Sequence, residues 1–232
     1  MFDKLCLLTL IVIGCSVLSY YALRRYFKFK HNHEYLFFWG LSFILFAIYH
    51  ALFEFALLAP NLVPIDFKDS ISIIYLIALC FQFFAISYVT SWCKHNGQCD
   101  LCTTCTKKKY RVVVTTILIL IVIASQLLPA IISQIYPHPE RFPLTHYVSN
   151  FYCLALAVAM TFSIYKYKVV NIYAYYSYLM LTLSSLTIIY GVEVKNAICG
   201  SFDVYTESAL LFFLLYICTL FKEFYMPKHN KE

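Results

Sequence analysis

Charge is what this sequence has least of. Only 13% of its 232 residues are Asp, Glu, Lys or Arg, about half the ~25% usual in a soluble domain. Set against 62% hydrophobic residues, the shortage excludes a water-soluble globule, because too few polar side chains exist to cover the apolar ones. Long polar stretches are missing as well. The longest segments between apolar blocks are about 19 residues (93–111) and about 14 residues (133–146), which leaves no room between them for a soluble catalytic domain. Glycine is scarce, with five in the chain. That rules out a Gly-rich phosphate cradle and leaves small-residue helix packing to Ala and Ser, such as Ser177, Ser184 and Ser185. Strict polar/apolar alternation is also lacking, and with it the pattern of a β-barrel.

What is present comes in uninterrupted apolar blocks, where a soluble amphipathic helix would show 3.6-residue spacing. Backbone amides in hydrocarbon have no water to pair with, so each block is expected to be helical. The blocks predict an all-α integral membrane protein, a bundle of seven transmembrane helices forming one domain over 1–232. The spans fall at 5–23, 35–59, 71–92, 112–132, 147–165, 172–192 and 204–221, each 18 to 25 residues long, against the ~20 that cross a core about 30 Å thick. The last span is short of apolar length: its charge-free part, 208–221, reaches only about 21 Å at ~1.5 Å per residue. Glu207 is therefore expected at the membrane boundary.

Basic residues set the orientation, because positively charged loops stay on the cytoplasmic side. Fourteen of the 18 Lys and Arg lie in the loops after spans one, three and five and in the C-terminal segment; Lys4, Lys68, Arg141 and Lys195 lie on the other side. The N-terminus is thus expected outside and the C-terminus in the cytoplasm, in a plasma or cytoplasmic membrane. Val12-Ile13-Gly14-Cys15 resembles a lipoprotein cleavage site, but the apolar run continues to Leu23, and cleavage would place Arg24 to Lys30 outside. The partners implied are the lipid bilayer and a cytoplasmic protein contacted by the basic loops; nucleic acid is not among them. Aromatics are 19% of the chain. Trp39, Trp92, Tyr110, Tyr165, Tyr167 and Tyr225 near the cytoplasmic ends of spans, and the group Tyr173, Tyr175, Tyr176 and Tyr178, read as interfacial anchors.

Two clusters carry chemistry. His50 and Glu54 stand four apart in an otherwise apolar span, on one helical face. An ionisable group at that depth costs on the order of 2.5–3.5 kcal/mol at the helix centre. His146, which opens span five, and Glu207, which opens span seven, are expected on the same outer side. The four together suit a cavity for a small polar ligand, a proton or a divalent metal; alternatively, Glu54 simply pairs with His50 or reaches the outer interface, and the remaining groups are solvated loop ends. The second cluster is the cytoplasmic loop with Cys93, His95, Cys99, Cys102 and Cys105. Thiols spaced by three can wrap one zinc ion, with Cys93 or His95 as fourth ligand, whereas an iron-sulfur pattern would need a cysteine where Lys109 stands. Cysteines beside basic residues at the membrane surface also suit palmitoylation. The other six, Cys6, Cys15, Cys80, Cys153, Cys199 and Cys218, read as small packing residues.

In span count and orientation this pattern is similar to seven-helix sensory modules and rhodopsin-like receptors, without a shared motif. Span seven has no Lys for a retinal Schiff base. The expected function is a receptor-like or sensor module with an outward-facing polar pocket; a small proton- or cation-coupled transporter or channel subunit is the alternative, disfavoured by cytoplasmic span halves that hold almost no polar residues. A membrane-embedded metal-dependent enzyme is third, since His50 is the one histidine deep in a span. Elemental analysis separates the two readings of the loop. One equivalent of zinc, lost when Cys93, Cys99, Cys102 and Cys105 are changed to Ser, supports the metal site; acyl chains found by mass spectrometry on a metal-free protein support palmitoylation.

Overall fold

Long apolar runs with few glycines and prolines inside them satisfy their backbone groups within each segment, and the chain folds accordingly. The computed structural model describes residues 2–28, 34–62, 67–94, 112–113, 115–125, 127–128, 131, 144–167, 172–197 and 202–225. Among these there are seven helices and no strand. They are α1 (Phe2–Lys28), α2 (Glu34–Leu58), α3 (Phe67–Lys94), α4 (Thr115–Ser125), α5 (Leu144–Tyr167), α6 (Ile172–Ala197) and α7 (Phe202–Tyr225), with a single 3-10 turn at Pro60–Leu62 after α2. Arg25 and Lys28 occupy the last turn of α1, and Glu34 the first turn of α2, each complementing the helix dipole at its end.

The all-helical class is as expected. By length and apolarity, two of the expected spans qualify among the described residues: Lys4–Lys28 and Glu34–Leu58. Four other helices hold shorter apolar runs, Ile71–Ile86, Thr115–Ser125, Asn150–Tyr165 and Tyr205–Phe221. Hydroxyl-bearing residues dilute the later helices, above all α6, whose sequence begins Ile-Tyr-Ala-Tyr-Tyr-Ser-Tyr.

Six helices close into a ring in the order α1, α2, α3, α5, α6, α7 and back to α1. Because α3 meets α5 directly, α4 stands outside the ring. It buries Leu118 and Ser125 and leaves most of its other residues exposed. A cleft of about 500 Å³ separates it from α3, walled by Ile77, Phe81 and Phe84 on one side and Leu118, Ile119 and Val122 on the other.

Glycine sets the closest approaches in the ring, a role the low count in the sequence concealed. A methyl group at Gly14 would lie 2.8 Å from Ile217 Cγ2, joining α1 to α7; at Gly40, 2.6 Å from Leu23 Cγ, joining α2 to α1; and at Gly191, 2.8 Å from Tyr205 Cβ, joining α6 to α7. Hydroxyls then tie adjoining helices together. Ser19 donates to the Gly40 carbonyl at 3.0 Å, Ser184 to the Ala209 carbonyl at 2.8 Å, and Ser177 to Thr219 Oγ1 at 2.8 Å. Ser177 and Ser184 thus act at a helix contact as expected, while Ser185 donates back to the Leu181 carbonyl of its own helix at 3.1 Å. Of the scattered cysteines, Cys15, Cys80 and Cys153 are buried, and Cys6 and Cys218 are exposed.

Gly40→Ala is expected to destabilise the protein by about 1–3 kcal/mol, the usual range for overpacking. Thermal unfolding in detergent checks this, and adding Leu23→Ala should recover part of the loss; full stability of Gly40→Ala alone would contradict the close contact.

Candidate functional site

The middle of the bundle is aromatic. Phe46 of α2 meets Tyr75 of α3 and Phe213 of α7, each at 5.1 Å between ring centroids. One turn further along α2, His50 packs on Phe213 at 4.7 Å and on Tyr49 at 4.9 Å. These rings separate two polar levels on the same four helices.

The first level is a cavity of about 100 Å³ between α2, α3, α6 and α7. Tyr49, His50 and Phe53 line it from α2, Tyr75 from α3, Ser184, Thr187, Ile188 and Gly191 from α6, and Tyr205, Thr206, Ala209, Leu210 and Phe213 from α7. His50 is only 4% exposed, and neither Nδ1 nor Nε2 has a hydrogen-bond partner. Buried polar atoms are paired in the great majority of cases, so a buried imidazole with both nitrogens unpaired at a cavity wall is a group held for something else.

Glu54 does not join this cavity. Its Oε1 accepts a hydrogen bond from Thr9 Oγ1 of α1 at 2.8 Å. Four residues advance a helix by about 400°, some 40° beyond a full turn. That small rotation, with the length of the Glu side chain, sends the carboxylate to α1 while the imidazole faces inward. The alternative pairing of Glu54 with His50 is likewise not formed. Glu207 is half-buried on α7, beside the cavity-lining Thr206 but not itself part of the lining. His146 lies in the first turn of α5, and its side chain falls outside the described residues, as does that of Cys93 in the last turn of α3. His95, Cys99, Cys102 and Cys105 also fall outside them. Among the described residues no three His, Cys, Asp or Glu side chains converge as a metal site would require.

The second level lies toward the other end of the bundle. Trp39 stands 11 residues before His50 on α2, about 16 Å away along the axis. Trp39 Nε1 donates to the Tyr178 hydroxyl at 3.0 Å, linking α2 to α6. Tyr216 donates to Gln82 Oε1 at 2.7 Å, linking α7 to α3. The two tyrosines meet edge-on at 5.7 Å. Three sequence expectations change here. Tyr178 is 0% exposed and Trp39 8% exposed, so both are core residues where interfacial anchors were expected. The halves of the helices on this side are also not bare of polar groups; they hold neutral ones that bond to each other.

The sequence reading placed His50 at a cavity, but the other three residues it named for that cavity are not among the described residues that line it. Tyr75 had a usable signal, as the one tyrosine within 71–86. Tyr205, Thr206 and Phe213 had none, because their rotation about α7 is fixed by packing. Comparison with protein-family models, with curated proteins and with solved structures gives no match for this chain.

Tyr216→Phe leaves Gln82 buried with no partner at either end of its amide, since Nε2 is already unpaired. A loss of about 1–3 kcal/mol is expected, the cost of an unsatisfied buried polar group, and Tyr216→Phe with Gln82→Leu should regain most of it. Unfolding curves of the single and double variants check this; equal losses in both would remove the hydrogen bond as the cause.

Proposed function

We propose that the chain is a multi-pass membrane protein, its seven helices all crossing the bilayer with the N-terminus outside and the C-terminus in the cytoplasm, and that it works as a receptor-like sensor whose ligand site is the cavity at His50. The observation that carries this reading is the fully buried imidazole with two unpartnered nitrogens at a cavity wall.

The membrane setting has its own support. A core helix of a soluble protein is mostly buried, yet only 33% of the most apolar window of α1 and 22% of that of α2 are buried. Large apolar side chains also stand exposed on the outer faces of other helices, among them Ile119, Val158, Phe162, Leu186, Leu211 and Leu215. A soluble protein rarely presents so much contiguous apolar surface to water, whereas lipid accepts it. At 24 residues, α7 extends about 36 Å, which offsets the short apolar run within it. The distribution of Lys and Arg supports the orientation.

Sensing needs a route from the outer cavity to the inner side. Phe213 touches both His50 at 4.7 Å and Tyr216 at 5.3 Å. A ligand that displaces Phe213 therefore bears on the Tyr216–Gln82 hydrogen bond that links α7 to α3, in the half of the bundle that leads toward the basic loops expected to meet a cytoplasmic protein partner. Transport is less well supported, because the polar groups of the inner level are packed and, apart from Gln82 Nε2, paired with one another.

Purified protein in liposomes is expected to pass neither protons nor potassium above the level of empty vesicles. A tag placed after Glu232 should be shielded from impermeant reagents on intact cells. Measurable flux would favour the transporter, and a reachable tag would invert the topology.

A further inference from the structure

The walls of the cavity specify what it takes. We infer that the site at His50 binds a small uncharged molecule carrying a hydroxyl on a hydrocarbon body no larger than a single ring. The inference rests on the receptor reading and names its ligand class.

Size comes first. About 100 Å³ is roughly two thirds of the ~150 Å³ apolar cavity that holds benzene. The pocket is partly open, and its inner space accepts a single ring or a short branched chain. Charge comes next. No Asp, Glu, Lys or Arg lines the cavity, and the nearest candidate along α2, Glu54, is engaged with Thr9. An ionic ligand would lose its hydration and find no countercharge, a penalty of several kcal/mol per ion. One imidazole without a second His, Cys or carboxylate is also too few ligands for zinc.

Hydrogen bonding completes the description. A neutral imidazole presents one N–H donor and one lone-pair acceptor, and here both are unused. A hydroxyl group can donate or accept and so can pair with whichever nitrogen faces it. Ser184 is already committed to the Ala209 carbonyl and Thr187 to the Leu183 carbonyl, which leaves His50, with the Tyr75 hydroxyl beside it, to discriminate. The rings of Tyr49, Phe53, Tyr75 and Phe213 supply flat apolar surface for the hydrocarbon part. A site built to hydrogen-bond one group rejects the analogue that lacks it, because its own buried polar atoms then stay unpaired.

Phenol, toluene and benzylammonium test the three properties. The full-length chain, labelled with 15N-histidine, is placed in phosphatidylcholine nanodiscs and titrated with each, following the imidazole resonances that are missing from His50→Phe. Phenol is expected to shift them saturably. Toluene should bind on the order of tenfold more weakly, the worth of one hydrogen bond, and benzylammonium should leave them unmoved. Ala209→Val narrows the cavity without touching the imidazole and should weaken phenol by a similar factor, so the test survives should His50→Phe fail to fold. His50→Phe itself should be as heat-stable as the parent, since it removes two unpaired atoms. Phenol without effect, or benzylammonium bound as tightly as phenol, overturns the inference. Binding of benzylammonium without ion flux would defeat the ligand class and leave the receptor reading standing. Flux with phenol binding intact would do the reverse.

Discussion

Close approach of helix backbones at Gly14, Gly40 and Gly191 is the constraint on which the arrangement depends. Each glycine faces a side chain of the adjoining helix at a distance that a Cβ could not share, so the α1–α2, α1–α7 and α6–α7 spacings are set by the missing side chain. Serines sit beside two of these contacts and bond across them, Ser19 to Gly40 and Ser184 to Ala209. Where the surrounding medium is apolar, burying Leu against Leu gives helices little reason to associate, and tight packing with interhelical hydrogen bonds takes over that work. The ring closes because its seams are narrow, and Gly191 and Tyr205, which meet at one of those seams, both line the cavity with His50.

The two polar levels differ in kind. At Trp39, Tyr178, Tyr216 and Gln82 the donors and acceptors mostly find one another, which fixes four helices in one register. At His50 they do not. Both lie on α2, α3, α6 and α7, separated by the rings of Phe46, Tyr75 and Phe213. A satisfied network holds geometry, whereas an unsatisfied group in a void holds a vacancy for hydrogen bonding, and the aromatic layer puts the second in mechanical contact with the first.

Much of the helical architecture was legible in the sequence because block length and composition decide it directly. His50 stood out for the same reason: an ionisable residue in an apolar run has few excuses. Its relation to Glu54 was not legible. Spacing by four gives a shared face to within about 40°, and that remainder is enough to separate a residue facing α7 from one facing α1. Trp39 and Tyr178 were misassigned because nearness to a helix end says how deep a residue lies, not whether it turns toward lipid or toward the centre. The glycine contacts lacked any pattern along the chain, since each joins a different pair of helices and the match is made by the fold.

The direct contact between α3 and α5 has a further meaning for how this chain can vary. α3 and α5 share a seam although α4 lies between them along the chain, so α4 packs beside the ring without being one of its six members. Substitutions on the exposed face of α4 alter an outer wall of the bundle and leave the six-membered circuit intact. No described α4 residue lines the chamber at the centre, so that exposed face is free to change without disturbing it.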